Sequence, residues 1–269
     1  MPDNWVNKGG RAIVAADNRL GRQEAPRLCL IFDPGQRPHL AALETAGASA
    51  ADHLTSFSII HRSAAEEGWL ELLANGLSFD CRGLAPAPSE PLPPAGIPVG
   101  LRSLPGGEVV SLGVGPHLAG ASGLLPVLRT LAGLGAALGQ LPGLLAIAWT
   151  PAHSWVAPDQ FVRAVSDWLA GGAFPALALT SIEREGNGAL VSHGLALITG
   201  QELRFEPDKH LSAAAMARIA VRLIHELVQR GPLTEGQDFV SPEGQSVLVV
   251  PVREGTQLRA IVRDTDRTR

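Results

Sequence analysis

Between Leu84 and Gly107 the chain carries seven prolines, at positions 86, 88, 91, 93, 94, 98 and 105. Proline lacks a backbone N–H and fixes φ, so this stretch can be neither helix nor central strand. It divides the sequence into a polar arm at 1–25, a smaller α/β half at 26–83, a proline-rich connector at 84–107 and a main α+β half at 108–269. The connector is either a semi-rigid spacer or a strap packed over the surface, and composition leaves that choice open.

Upstream of the connector, the apolar run Arg27–Phe32 followed by Asp33-Pro34-Gly35 reads as a buried strand entering a turn. A helix over 37–46 and a strand over 55–61 follow. Within 64–74, Trp69, Leu72 and Leu73 recur at helical spacing, Asn75-Gly76 reads as the stop of that helix, and 77–81 reads as a third strand. This half is therefore expected to be a β-α-β-α-β unit.

Downstream, a strand over 109–114 leads to a helix over 121–140, in which Leu124, Leu128, Leu131, Leu134 and Leu138 form a stripe. After a buried strand at 144–149, Pro158 and Asp159 suit a first helical turn. Phe161, Val165, Trp168 and Leu169 form the inward face of that helix and Gly171-Gly172 its stop. Two alternating runs, 177–185 and 189–198, flank Asn187-Gly188, the strongest short-range hairpin signal in the chain. Gly200 permits a tight turn into a strand at 202–206. The longest amphipathic helix spans 211–230, with Met216, Ile219, Ala220, Leu223 and Leu227 on one stripe and Gly231-Pro232 as its stop. Strands at 247–252 and 258–262, joined around Glu254-Gly255, complete the fold, and the second is a candidate edge. The expected class is α+β: a mixed, largely antiparallel sheet covered by helices, with the smaller half packed against it.

Composition excludes several functions. A net charge of −4 supplies no basic field to attract phosphates, so nucleic-acid binding is set aside. Cys29 and Cys81 lie inside apparent strands and read as free, buried thiols of a reducing cytoplasm. The 1–25 arm has no apolar core of a secretory signal. The Leu-rich segment 124–149 is interrupted by Pro126, Arg129, Gln140 and Pro142, which leaves no membrane span.

No catalytic pattern is complete. Gly120-Ala121-Ser122-Gly123-Leu124 places its second glycine one residue early for a nucleophile elbow. His225-Glu226 opens a helical HExxH, but position 229 is Gln, so the second zinc-ligating histidine is missing and a helix-surface pair is the plainer account. Gly113-Val114-Gly115 follows a strand, yet the third glycine of a dinucleotide loop falls at 120 instead of 118. Lysine occurs only at 8 and 209, and no phosphate-binding GxxxxGK[ST] loop is present. Neither a cofactor nor a metal site is implied. Cys81 paired with a histidine as a nucleophile has no support from spacing.

The segment 144–206 holds three of the five tryptophans and the clearest turn signals. Near its end stand Ser192-His193-Gly194-Leu195 and Thr199-Gly200-Gln201-Glu202-Leu203. With these motifs the chain, from about Pro26 onward, resembles a widespread bacterial domain family of unknown function whose second half carries a Thr-x-Gly-Leu … Phe-Gly-x-x-Glu-Leu pattern. Here Ser192 replaces the threonine, and Ile198-Thr199 stands where the aromatic-glycine pair would be. The resemblance implies a fold but brings no catalytic residue or ligand.

The candidate binding residues are His153 and Trp155, on the loop after a strand, and His193 and Glu202, on neighbouring strands. An exposed Trp beside a His suits ligand or partner contact. The alternative is that Trp155 caps the core and His193 bonds nearby backbone. These features make a non-enzymatic interaction or binding module the first expectation, with a protein or small molecule as partner. The alternatives are a hydrolase or transferase with a dispersed site, and a ligand sensor hinged on the connector. Trp5, Trp69 and Trp155 in less obviously buried segments also point to self-association as a homodimer.

Overall fold

The computed structural model describes residues 25–49, 55–241 and 244–263. In chain order the elements begin with β1 (Arg27–Phe32), α1 (Leu40–Ser49), β2 (Ser58–Arg62), β3 (Trp69–Ala74), β4 (Leu77–Arg82), β5 (Ile97–Val99) and β6 (Glu108–Val114). They continue with α2 (Leu125–Leu138), β7 (Leu144–Trp149), β8 (Ser154–Val156), α3 (Pro158–Leu169), α4 (Ala176–Leu179), β9 (Ser181–Arg184), β10 (Leu190–His193) and α5 (Ala196–Thr199). Last come β11 (Glu202–Phe205), α6 (Ala213–Arg230), β12 (Gln237–Val240), β13 (Ser246–Val252) and β14 (Gln257–Arg263).

The strands form two sheets, in the orders β2-β3-β4-β6-β1-β7-β8-β5 and β12-β13-β14-β11-β10-β9. Only the β5–β8 and β11–β14 pairs are parallel, so the α+β class with mixed, mostly antiparallel sheets holds. The core strand β1 sits between β6 and β7. That position explains its continuous apolar run, since both of its faces are covered: Leu28, Leu30 and Phe32 join the main core, while Cys29 and Ile31 join a second cluster on the far face. The boundary at 84–107 is thus not a boundary of the sheet, because β1, β3 and β4 share it with β6, β7 and β8.

On its inner face the large sheet carries α2 and α3; the small sheet lays its inner face on α6. Helix α6 begins where Ser212 Oγ accepts the Ala215 N–H at 3.2 Å and ends at Gly231, and its stripe Met216, Ile219, Ala220, Leu223 and Leu227 is buried. Its His225 Nδ1 accepts the Phe174 N–H at 3.0 Å, and Glu226 pairs with Arg222 at 2.7 Å. The incomplete HExxH is therefore a helix-packing feature.

The proline-rich connector is a strap. It lies across the far face of the large sheet, where Leu101 and Leu104 pack on Cys29, Ile31, Val109, Ala146, Ala148 and Trp155. Arg37 holds its start: the guanidinium donates to the Gly83 and Ala87 carbonyls at 2.6 and 2.9 Å and pairs with Glu108 at 3.3 Å. Farther along, Trp155 Nε1 donates to the Pro94 carbonyl at 3.1 Å, and the Ile97 N–H donates to the His153 carbonyl at 2.7 Å. The approach is so close that a Cβ on Gly96 would lie 1.8 Å from the His153 carbonyl oxygen.

Several local expectations are corrected. Residues 69–74 form strand β3, not a helix: Leu70, Leu72 and Ala74 are buried in alternation, which is the two-residue period of a sheet. Asn75 and Gly76, at φ 49° and 77°, make the two-residue hairpin turn to β4 and do not stop a helix. The smaller half is consequently not a β-α-β-α-β unit. The Asn187-Gly188 hairpin is present between β9 and β10, but α4 replaces the start of the first expected strand and α5 the end of the second. Strand β14 is no edge, being paired to β13 and β11. The short strands β5, β8 and β12 escaped the sequence reading. Among the described residues no helix is long and apolar enough to cross a membrane.

Candidate functional site

The motif residues near β10 and β11 are consumed by local structure. Ser192 Oγ accepts the Leu203 N–H at 2.7 Å and donates to Glu202, while the other Glu202 oxygen accepts the Ala196 N–H at 3.0 Å. Glu202 thus ties β11 to the turn of α5. Gln201, almost fully buried, accepts from the Leu233 N–H at 2.8 Å and donates to the Leu233 and Gly255 carbonyls at 2.9 and 2.8 Å. A buried amide whose donors and acceptor all meet backbone is a clamp with no capacity left for a ligand.

The other nominated residues divide between the strap and the open sheet face. Trp155 is 3% exposed, between the strap and the sheet, so the exposed tryptophan that ligand contact would need is not there. His153 adopts a left-handed backbone, φ 49°, with its ring exposed and its carbonyl occupied by Ile97. His193 Nε2 lies 3.1 Å from Glu183 Oε2 on the outer face of the small sheet. That face is a solvated charge lattice, continued by Arg204 with Glu185 at 2.7 Å and by Arg259 with Glu206 at 2.8 Å. Trp5 lies outside the described residues. Cys81 is fully buried, and burial, aided by neighbouring Asp80, pushes its thiol up to about 12, which removes it as a nucleophile near neutral pH. Among the described residues no group of three or more His, Cys, Asp or Glu is placed to hold a metal ion.

A predominantly apolar groove of about 500 Å³ lies at the seam between the two sheets. Strand β5 gives it one wall through Ile97 and Val99, and α6 another through Ala217 and Val221. Leu177, 48% exposed, lines it from α4, and Ile182 and Arg184 line it from β9, on the face opposite Glu183. Among the described residues Arg184 and Arg218 are the charged side chains in the lining. Arg184 makes no ion pair among the described residues, in contrast to Arg204 across the hairpin.

The two strands that border this groove are both sheet edges, and they differ in their backbone. In β5 the Ile97 N–H donates to His153 and the Val99 carbonyl accepts from Ala157, which leaves Pro98 as the residue facing outward. Pro98 has no N–H to offer. In β9 the hairpin is closed by the Glu185 N–H donating to the Ala189 carbonyl at 2.9 Å. Antiparallel exchange alternates, so Ser181 and Glu183 turn their peptide groups toward β10 while Ile182 and Arg184 turn theirs to the open edge. Strand β9 carries no proline and its ladder with β10 runs without a bulge, so only its short length and its charged Glu183 and Arg184 restrict further pairing.

Comparison of the chain with protein-family models, curated proteins and solved structures returns no match. The functional reading therefore rests on the groove alone. Sequence reasoning found the β9–β10 hairpin and α6 but not the groove, because which strand lies at an edge depends on an order that the sequence does not state. One signal was available: Ala217 and Val221, four residues apart, widen the apolar face of α6 beyond the stripe needed for the core.

Proposed function

We propose that the protein is an interaction module that captures an extended segment of a partner protein by strand addition at β9, with alternate side chains of that segment entering the seam groove. The observation that carries this reading is the coincidence of a sheet edge free of proline and bulge with an apolar, half-open groove walled by a helix. Main-chain hydrogen bonds to an edge strand supply affinity, and pockets for alternate side chains supply selectivity. An enzymatic reading has no comparable support, since Glu202 is tied up in structural bonds, His193 stands on the charged outer face, and the exposed ring of His153 makes no side-chain hydrogen bond among the described residues. A second copy of this chain is the competing occupant.

The test is selection from a random heptapeptide display library on the purified protein. Binders are expected, and their binding is expected to be lost both in Ala217→Trp, which fills the groove, and in Leu177→Asp, at an exposed position where folding is retained. Binders indifferent to both substitutions would refute the groove as the docking site. A dimer in light scattering that both substitutions dissociate would assign the groove to self-association instead.

A further inference from the structure

The chemistry of the groove specifies what kind of segment fits it. We infer that the captured segment carries an apolar residue and an acidic residue two positions apart in an extended conformation, the apolar one opposite Ile182 and the acid opposite Arg184. This rests on strand addition at β9, proposed above.

The argument starts from the pleat. Ile182 and Arg184 are two residues apart on β9, so their side chains share the groove face, and a strand laid on the open edge must place its own groove-facing residues at the same spacing. The residue opposite Ile182 meets a surface made by Ile97, Val99, Leu177 and Val221, where only an apolar side chain gains from leaving water. Its neighbour two positions away meets Arg184, with Arg218 of α6 in the same lining. Among the described residues the lining contributes no carboxylate, and Arg184 makes no ion pair. A basic residue placed beside Arg184 would be repelled by it. An acid gains a charge-assisted pair beside an apolar wall. The residue between the two points to the opposite face and is unconstrained. Spacing of two follows from the strand; a helical ligand would need three or four.

The same heptapeptide library reads this out on wild type and on Arg184→Glu. From wild type, the enriched peptides are expected to share an apolar residue followed or preceded by Asp or Glu at a spacing of two. On Arg184→Glu the acidic preference is expected to switch to Lys or Arg at that spacing. For a synthesised wild-type binder, replacing its acid by the neutral amide is expected to weaken binding about 5-fold, the scale of a partly exposed charge pair. Binders that are blocked by Ala217→Trp but show no acid, or no spacing of two, would overturn this inference and leave strand addition standing. Binders unaffected by Ala217→Trp and Leu177→Asp would remove strand addition itself. If no peptide is enriched while decanoate perturbs the groove residues in NMR spectra, the occupant is a small amphipathic anion and both readings fall.

Discussion

Strands β5 and β9 border one groove, yet they end their sheets in opposite ways. Strand β5 belongs to the strap and is bonded to β8, with Pro98 at its outward-facing position; β9 is the first arm of a hairpin whose outer side, at Ile182 and Arg184, pairs with no strand among the described residues. An edge of the first kind resists further pairing, and one of the second kind invites it. The difference teaches that a protein can close one rim of a groove and leave the other available for partners. The large sheet follows the same logic. Its far face is covered by proline-rich chain that contributes apolar side chains and a few anchoring bonds, and where that chain joins the sheet as β5 the new edge carries Pro98.

The strongest way to break the comparison is to release β5. Trp155→Ala removes a buried indole together with its bond to Pro94, and a loss of about 3–5 kcal/mol is expected in denaturant unfolding. Hydrogen exchange at the Ile97 amide should accelerate as well, since its partner His153 is held by the same stretch. Exchange unchanged at Ile97 would mean that the strap is held elsewhere.

A pair of proline substitutions sharpens the difference at β9. Glu183→Pro deletes an N–H that faces β10 and is expected to cost about 1–3 kcal/mol more than Ile182→Pro, whose lost N–H faces the open edge. Ile182→Pro converts β9 into an edge like β5 and should abolish peptide capture with the fold intact. A larger cost for Ile182→Pro would show that the edge register is reversed, and equal costs would show that neither N–H is distinguished by pairing to β10.

The smallest effect concerns the anchor of the strap and is read through pH. The Gly35 N–H, and then Arg37, hold the Glu108 carboxyl below its ordinary range. Because the folded value is depressed, this contribution is present above the ordinary glutamate range and fades as pH falls through the folded value. The Tm of Glu108→Gln should therefore lie below that of the wild type at pH 7, with the gap narrowing toward pH 3. A gap independent of pH would show that the charge of Glu108 does not anchor the strap.

How far the sequence spoke depends on whether the decisive interaction was local. Asn187-Gly188 lay between two alternating runs, so turn and strands agreed and the hairpin was legible. Asn75-Gly76 made the same kind of turn, but Trp69, Leu72 and Leu73 also satisfy a helical spacing, and only pairing with β2 and β4 chooses the strand. The stop of α6 and the proline start of α3 were equally readable, because Gly231 and Pro158 act within one helical turn. By contrast, the position of β1 between β6 and β7 joins it to residues about 80 positions away on one side and more than a hundred on the other. No periodicity encodes that order. The nominated binding residues were chosen for their chemistry, and Trp155 and Glu202 proved to spend that chemistry on the strap and on the α5 turn. The groove residues were passed over because Ile182, Arg184 and Ala217 are unremarkable until strand order brings them together.

The parallel pairing of β11 with β14 has a consequence for biosynthesis. Residues 257–263 fill the middle of the small sheet, between β11 and β13, so the hairpin that carries β9 has no lateral support from that side until they emerge. At translation rates of about 5–20 residues per second, β11 waits on the order of several seconds for its neighbour. During that interval the nascent chain exposes the β11 edge as well as β9. A ribosome-associated chaperone that masks bare strands would have its moment there, and the mature protein keeps only the second edge open.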